Sequence, residues 1–130
     1  MRIGRLARFD VVAVRDEPLD RGTAAEVRRR EGERILAAAE GWTIVACDRL
    51  GTQVASDELA VLIDGLEERA PQKTAFVIGG AEGLDGSVLD VCAHRLAFGR
   101  VTLPHQLARV LVAEQIYRAL TIRRGLPYHR

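Results

Sequence analysis

The most constraining feature of this chain is a rhythm. Three short and continuously apolar runs, "WTIVAC" (42–47), "KTAFVIGG" (73–80) and "RLAFG" (95–99), are separated by stretches with helical patterning. An apolar run without alternation suits a strand whose sheet is covered on both faces. Such strands alternating with helices predict an α/β domain with a mostly parallel sheet. A fourth run, "FDVVAVR" (9–15), also has strand composition and stops at an Asp/Glu/Pro cluster.

The intervening stretches carry helix punctuation. "TAAEVRRREGERILAAAEG" opens with a capping box, Thr23 and Glu26, and closes at Gly41. Gly32 inside it costs about 1 kcal/mol relative to alanine and predicts a weak point in mid-helix. "SDELAVLIDGLEER" reads as a helix with Ser56 as N-cap and Asp57 and Glu58 in its first turn. "SVLDVCAH" reads as a short helix, with His94 satisfying its last carbonyls. A long helix runs from about His105 to Arg123, ended by Gly125 and Pro127. Its core, "LARVLVAEQIYRALTI", is apolar over most of its circumference. Such a helix is buried on more than one side, which predicts one face on the sheet and another on a second subunit, a homodimer.

A chain of 130 residues with 48% apolar and 28% charged residues fits one soluble domain over 1–130. No apolar run reaches the roughly 18 residues of a membrane span, and no signal-peptide core follows the first arginines. Cys47 and Cys92 sit in apolar surroundings and read as reduced core residues, so a cytoplasmic location is expected. The net charge of +1 hides an asymmetry. Residues 95–130 hold seven arginines against one acid, whereas 48–90 hold nine acids against three bases. The basic end suits a phosphate-bearing partner, or else is a set of solvated helix faces.

In open α/β sheets, ligands bind beyond the carboxyl ends of the strands. The segments there are "DRLGTQ" after Cys47, "GGAEG" after Ile78 and "GRVTLPH" after Phe98. Gly79, Gly80 and Gly83 allow backbone to approach a ligand. The spacing is neither that of a dinucleotide fingerprint nor that of a P-loop. No nucleophile elbow is present, and Ser56 and Ser87 look like helix-start residues. Cys47 ends a strand at the predicted ligand edge, where core or pocket lining outweighs a nucleophilic role. His94, His105 and His129 lack metal-ligand spacing, so no metal is expected. His105 has a capping role as its ordinary explanation, while His129 has none.

Four segments, "EGERILAAA", "FVIGGAEGL", "VTLPHQLARVLVAEQIYRA" and the terminal "PYHR", together resemble the RlmH family, ribosomal RNA large subunit methyltransferases H of the SPOUT superfamily. The resemblance covers about residues 9–130. It implies a parallel-sheet α/β knot, with a trefoil knot over about 74–130, and a homodimer that binds S-adenosyl-L-methionine. It implies methylation of N3 of a pseudouridine in 23S rRNA within the ribosome, with no metal and no membrane. Cofactor-binding positions carried over are Cys47, Asp48, Gly80, Gly99, Arg100, Val101, Thr102, Leu103 and Pro104. Tyr128, His129 and Arg130 are implied at the substrate base, with Arg124 and Arg130 holding phosphate or developing negative charge. His129 would orient the base or assist its deprotonation.

The N-terminal part departs from the family pattern. "MRIGRLARFDVVAV" runs almost straight into what resembles the second strand of the family, so the expected fold is the knot minus an N-terminal βα unit. The rival expectations are a truncated or engineered knotted domain that binds S-adenosylmethionine or RNA without efficient turnover, a structural or engineered scaffold, and a SPOUT enzyme acting on tRNA.

Overall fold

The computed structural model describes residues 22–69, 73–79, 83–99 and 105–125. Its elements alternate as the apolar rhythm predicts: α1 (Ala24–Ala38), β1 (Thr43–Gln53), α2 (Ser56–Arg69), β2 (Thr74–Ile78), α3 (Gly86–Leu89), β3 (His94–Ala97) and α4 (His105–Arg123). The "FDVVAVR" run lies outside the described residues, as do segments 80–82 and 100–104, on which a knot over 74–130 would turn.

The three strands form one parallel sheet in the order β2-β1-β3. Thr43 to Cys47 pair in register with Thr74 to Ile78. Val45 to Cys47 pair with His94 to Leu96 on the other side. The chain steps to one side of β1 through α2, then crosses to the other side through α3. Right-handed crossovers in opposite directions place their helices on opposite sheet faces. Side-chain alternation along β1 follows suit. Val45 packs with Leu59, Ile63, Leu96, Ile116 and Leu120 in the α2–α4 layer. Ile44 and Ala46 pack with Ala39, Leu84 and Val88 in the α1–α3 layer. The result is helix, sheet and helix, and it explains why Ile44–Cys47 of β1 and Ala75–Ile78 of β2 are apolar on every residue. Leu59 is fully buried in the first layer. Leu59→Ala is expected to lower unfolding free energy by about 2–5 kcal/mol in urea titrations.

Local signals fix the helix ends. The Thr23 side chain accepts from the Glu26 N–H at 3.2 Å, as the capping box requires. Gly41 follows with φ +81, the left-handed region that favours glycine. Gly32 has a different meaning from the predicted weak point. A Cβ there would stand 3.0 Å from Asp85 Cβ and 3.2 Å from Ser87 Oγ. The glycine lets α1 sit directly against the start of α3.

Three further expectations are corrected. Ser56 is the first helical residue and not the cap. Ala55 holds the cap position: its carbonyl accepts from Leu59 N–H, and its N–H donates to Glu58 Oε1 at 2.8 Å. Ser56 Oγ instead meets Gln115 Oε1 at 3.1 Å, tying α2 to α4. His94 opens β3 opposite Val45 and does not finish α3; the Cys92 thiol reaches the Leu89 carbonyl at 3.1 Å. "WTIVAC" is only part of β1, which starts at Thr43 and continues to Gln53. The predicted loop "DRLGTQ" therefore belongs to the strand.

The long helix behaves as its composition demands. Val112, Ala113, Ile116, Ala119 and Leu120 are buried in the α2–α4 layer. Leu107 and Val110 remain 56% and 62% exposed, so its apolar excess is not consumed within one chain.

Candidate active site

Because the strands are parallel and Cys47 is level with both Ile78 and Leu96, their carboxyl ends open at one edge of the sheet. Sequence reasoning selected the segments leaving that edge. The described residues there include Cys47, Asp48, Gly79, Gly83 and Gly99. Gly80, Arg100, Val101, Thr102, Leu103 and Pro104 belong to the same segments and lie outside the described residues, as do Tyr128, His129 and Arg130.

Cys47 is half-buried against the α2–α4 layer. Burial pushes its thiol up to about 12, far from a nucleophile's range. A wall role fits, and its chemistry should be quiet. At pH 8, Cys47 is expected to carry about a thousandth of the thiolate of an ordinary cysteine. Mass-spectrometric peptide mapping should find it unmodified by iodoacetamide until the protein unfolds. Rapid labelling of the native protein would show that this strand end opens.

Asp48 accepts from Arg95 Nε at 2.6 Å, and Arg95 Nη2 adds a second contact to the same carboxylate. Arg95 was not singled out from the sequence. Its only signal was a charge at the start of an otherwise apolar run. The pair joins β1 to β3 beside the edge. Beyond it, β1 does something the sequence does not announce. Leu96 pairs with Cys47 and again with Thr52, so residues 48–51 leave the ladder and return to it. Gly51 makes the return possible: a Cβ there would lie 2.7 Å from the Arg95 carbonyl and 2.9 Å from the backbone of Leu96.

The glycine segment after β2 also differs from expectation. A Cβ on Gly79 would lie 2.6 Å from the Gly83 carbonyl carbon and 2.9 Å from Leu84 N. The close approach at Gly79 is thus to the segment's own far end. Gly83 takes φ +83. Asp85 then caps α3, accepting from Ser87 N–H at 3.1 Å and from Ser87 Oγ at 2.6 Å. The Ser87 side-chain and backbone hydrogen bonds hold the Asp85 carboxyl below the usual carboxylate range, with Arg28 adding a smaller electrostatic pull.

Gly99 follows β3 with φ +113. A Cβ added at Gly83 or Gly99 would meet nothing within 4 Å. Cys47 gives this edge an apolar wall, of the kind that lines cofactor sites.

Arg124 is not at this edge. The contacts Ser56–Gln115 and Asp64–Arg123 show that α4 runs alongside and parallel to α2. Since α2 leaves from the carboxyl edge, Arg124 lies nine residues down α4 from that level, about 13 Å at 1.5 Å per residue. The other end of α4, with Leu107 and Val110, extends past the start of α2. Among the described residues, no group of His, Cys, Asp and Glu could hold a metal ion, and no helix is long and apolar enough to cross a membrane.

Known proteins place this architecture in context. A family model described as "Predicted SPOUT methyltransferase" matches residues 1–129. A ribosomal RNA large subunit methyltransferase H from Limosilactobacillus reuteri is 42% identical over 134 residues, covering 99% of this chain and 84% of the relative. One from Clostridium novyi is 37% identical with the same coverage. One from Nitratidesulfovibrio vulgaris is 49% identical over 100 residues, covering 76% of this chain and 64% of its own length. With a family match running from residue 1 to residue 129, over a parallel sheet whose three carboxyl ends open together, this chain belongs to the SPOUT methyltransferase family.

Proposed function

We propose that the protein is an S-adenosylmethionine-dependent methyltransferase of 23S rRNA, acting on N3 of a pseudouridine in the assembled ribosome. The observation that carries this reading is the similarity to proteins named ribosomal RNA large subunit methyltransferase H along nearly the whole chain. A knotted segment over about 74–130 within one domain, a homodimeric state and a cytoplasmic location belong to the same proposal.

Cys47, Asp48, Gly80 and the run Gly99, Arg100, Val101, Thr102, Leu103 and Pro104 would hold S-adenosylmethionine. The cofactor supplies an activated methyl group, so little covalent chemistry is left to the protein. The residues of the edge have two tasks. They place N3 in line with the methyl carbon, and they let the N3 proton leave. His129 orients the base or takes part in its deprotonation. Arg130 and Arg124 hold phosphate or the negative charge that develops on the base. Tyr128 stacks on the base or buttresses the tail.

The exposed Leu107 and Val110 of α4 support the homodimer. A second copy, docked through the uncovered Leu107 and Val110, would bring Arg124 of the partner subunit and its tail to the site. Methyl incorporation from labelled S-adenosylmethionine into 70S ribosomes lacking the modification tests the function, with naked 23S rRNA as control. Incorporation at the pseudouridine, into ribosomes and not into naked RNA, is the expected result. No incorporation into ribosomes while cofactor binding persists would favour a binder without turnover, a reading that the near-complete match to methyltransferases does not support.

A further inference from the structure

Between its two pairings with Leu96, β1 makes an excursion of which only Asp48 is among the residues proposed to hold the cofactor, yet it is firmly built. It is fastened on both sides of its tip. Before the tip, the Asp48 carboxylate accepts from Arg95 Nε at 2.6 Å. After the tip, Gly51 lies against the backbone of Arg95 and Leu96, with no room even for a methyl group. Thr52 and Gln53 then rejoin β3 opposite Leu96 and Ala97. The two residues between the fastenings are Arg49 and Leu50. Both are exposed, and Leu50 is 72% exposed.

A lone exposed leucine on a loose loop needs no explanation. This one stands at a break in the β1–β3 ladder that is fastened on both sides, at the edge from which the candidate site opens. The guanidinium of Arg49 is next to it. The carboxylate nearest in sequence, Asp48, is already engaged by Arg95.

We propose that the Arg49–Leu50 tip is an RNA-contacting element of the substrate site. Leu50 packs as an apolar wedge against an unstacked base beside the target nucleotide, and Arg49 pairs with an adjoining phosphate. This rests on the proposed action on ribosomal RNA. Aliphatic side chains wedged against base steps, with cations on neighbouring phosphates, are a recurrent way to hold a distorted nucleic acid. A second copy of the chain is the poorer match for this tip. A single leucine beside a guanidinium offers little apolar area, whereas Leu107 and Val110 on α4 supply a patch of two apolar residues.

The test compares the wild type with Leu50→Ala, Leu50→Met and Arg49→Ala, using the full chain and purified 70S ribosomes that lack the modification. Ribosome binding is measured by co-sedimentation across a salt series. Calorimetry gives the affinity for S-adenosylmethionine, and sedimentation velocity gives the oligomeric state. Leu50→Ala is expected to weaken ribosome binding about tenfold with an unchanged salt slope. Leu50→Met should recover most of that loss. Arg49→Ala should weaken binding several-fold and reduce the slope of log affinity against log salt by about 1. Cofactor affinity should hold throughout. Ribosome binding like the wild type in both alanine variants would overturn the proposal, and so would a shift of Leu50→Ala toward monomer. A wild-type protein that binds ribosomes without methylating them would sink the enzymatic reading alone, and the salt slopes would still decide the role of the tip.

Discussion

Replacing His129 with alanine should slow methyl transfer in a single turnover by on the order of 10²-fold or more, while the affinity for S-adenosylmethionine stays within about twofold. On the proposed reading, the reaction divides its demands between two groups of residues. The segments proposed to hold the cofactor leave the carboxyl edge of the sheet, whereas His129 and Arg130 follow in sequence the end of α4, whose last residue is Arg123. If those ends meet only when two subunits combine, cofactor affinity and methyl transfer separate cleanly. Arg130→Ala should behave similarly, with a loss set by the charge it stabilises on the base. Quench-flow with labelled cofactor and ribosomes measures the rate, and calorimetry measures the affinity. Wild-type rates in both variants would remove the terminal residues from the chemistry. A parallel fall in cofactor affinity would instead make them part of the cofactor pocket.

The second large effect is expected at Gly79. An alanine there would press its methyl group to 2.6 Å from the Gly83 carbonyl carbon, closer than side-chain carbons approach backbone. Neither neighbour can yield easily, because both contacts are backbone and Gly83 is already in the left-handed region. The segment must open to admit the methyl. Gly79→Ala is expected to lower unfolding free energy by about 1–3 kcal/mol and to weaken S-adenosylmethionine binding at least tenfold, since Gly80, next in sequence, is one of the residues proposed to hold the cofactor. Gly65→Ala is the matched control, because a Cβ on that α2 glycine meets nothing within 4 Å. It should be neutral or slightly stabilising. Urea titration and calorimetry on both variants check the pair. Equal behaviour of the two would mean that the segment after β2 adapts without cost.

Much of the architecture could be read along the chain because its causes are local. Thr23 with Glu26, Gly41 and Gly125 mark helix boundaries through hydrogen bonds and dihedral angles that involve only a few neighbours. The fully apolar "IVAC" and "FVI" announced a sheet covered on both faces, because the residues of these two runs alternate between the two helix layers. The carboxyl edge followed from that sheet, and "VTLPHQLARVLVAEQIYRA" with "PYHR" pointed to the family.

Other features were decided only by contacts between residues far apart in the chain. Ser56 carries every local mark of an N-cap, yet its hydroxyl meets Gln115, 59 residues away, and Ala55 takes the cap position. Gly32 looks like a flaw in α1 until Asp85 and Ser87 are found against it. "DRLGTQ" reads as a loop, since nothing within it reveals that Thr52 will pair with Leu96 a second time. With α4 parallel to α2, nine residues separate Arg124 from Gln115, which is level with the start of α2. By itself the sequence determined the element types, their order and the family. Tertiary structure decided which glycines are spaces for backbone, which polar groups pair across layers, and at which end of the α2–α4 layer Arg124 stands. Local rules depend on neighbours a few residues away, whereas these outcomes depend on the packing of three layers at once.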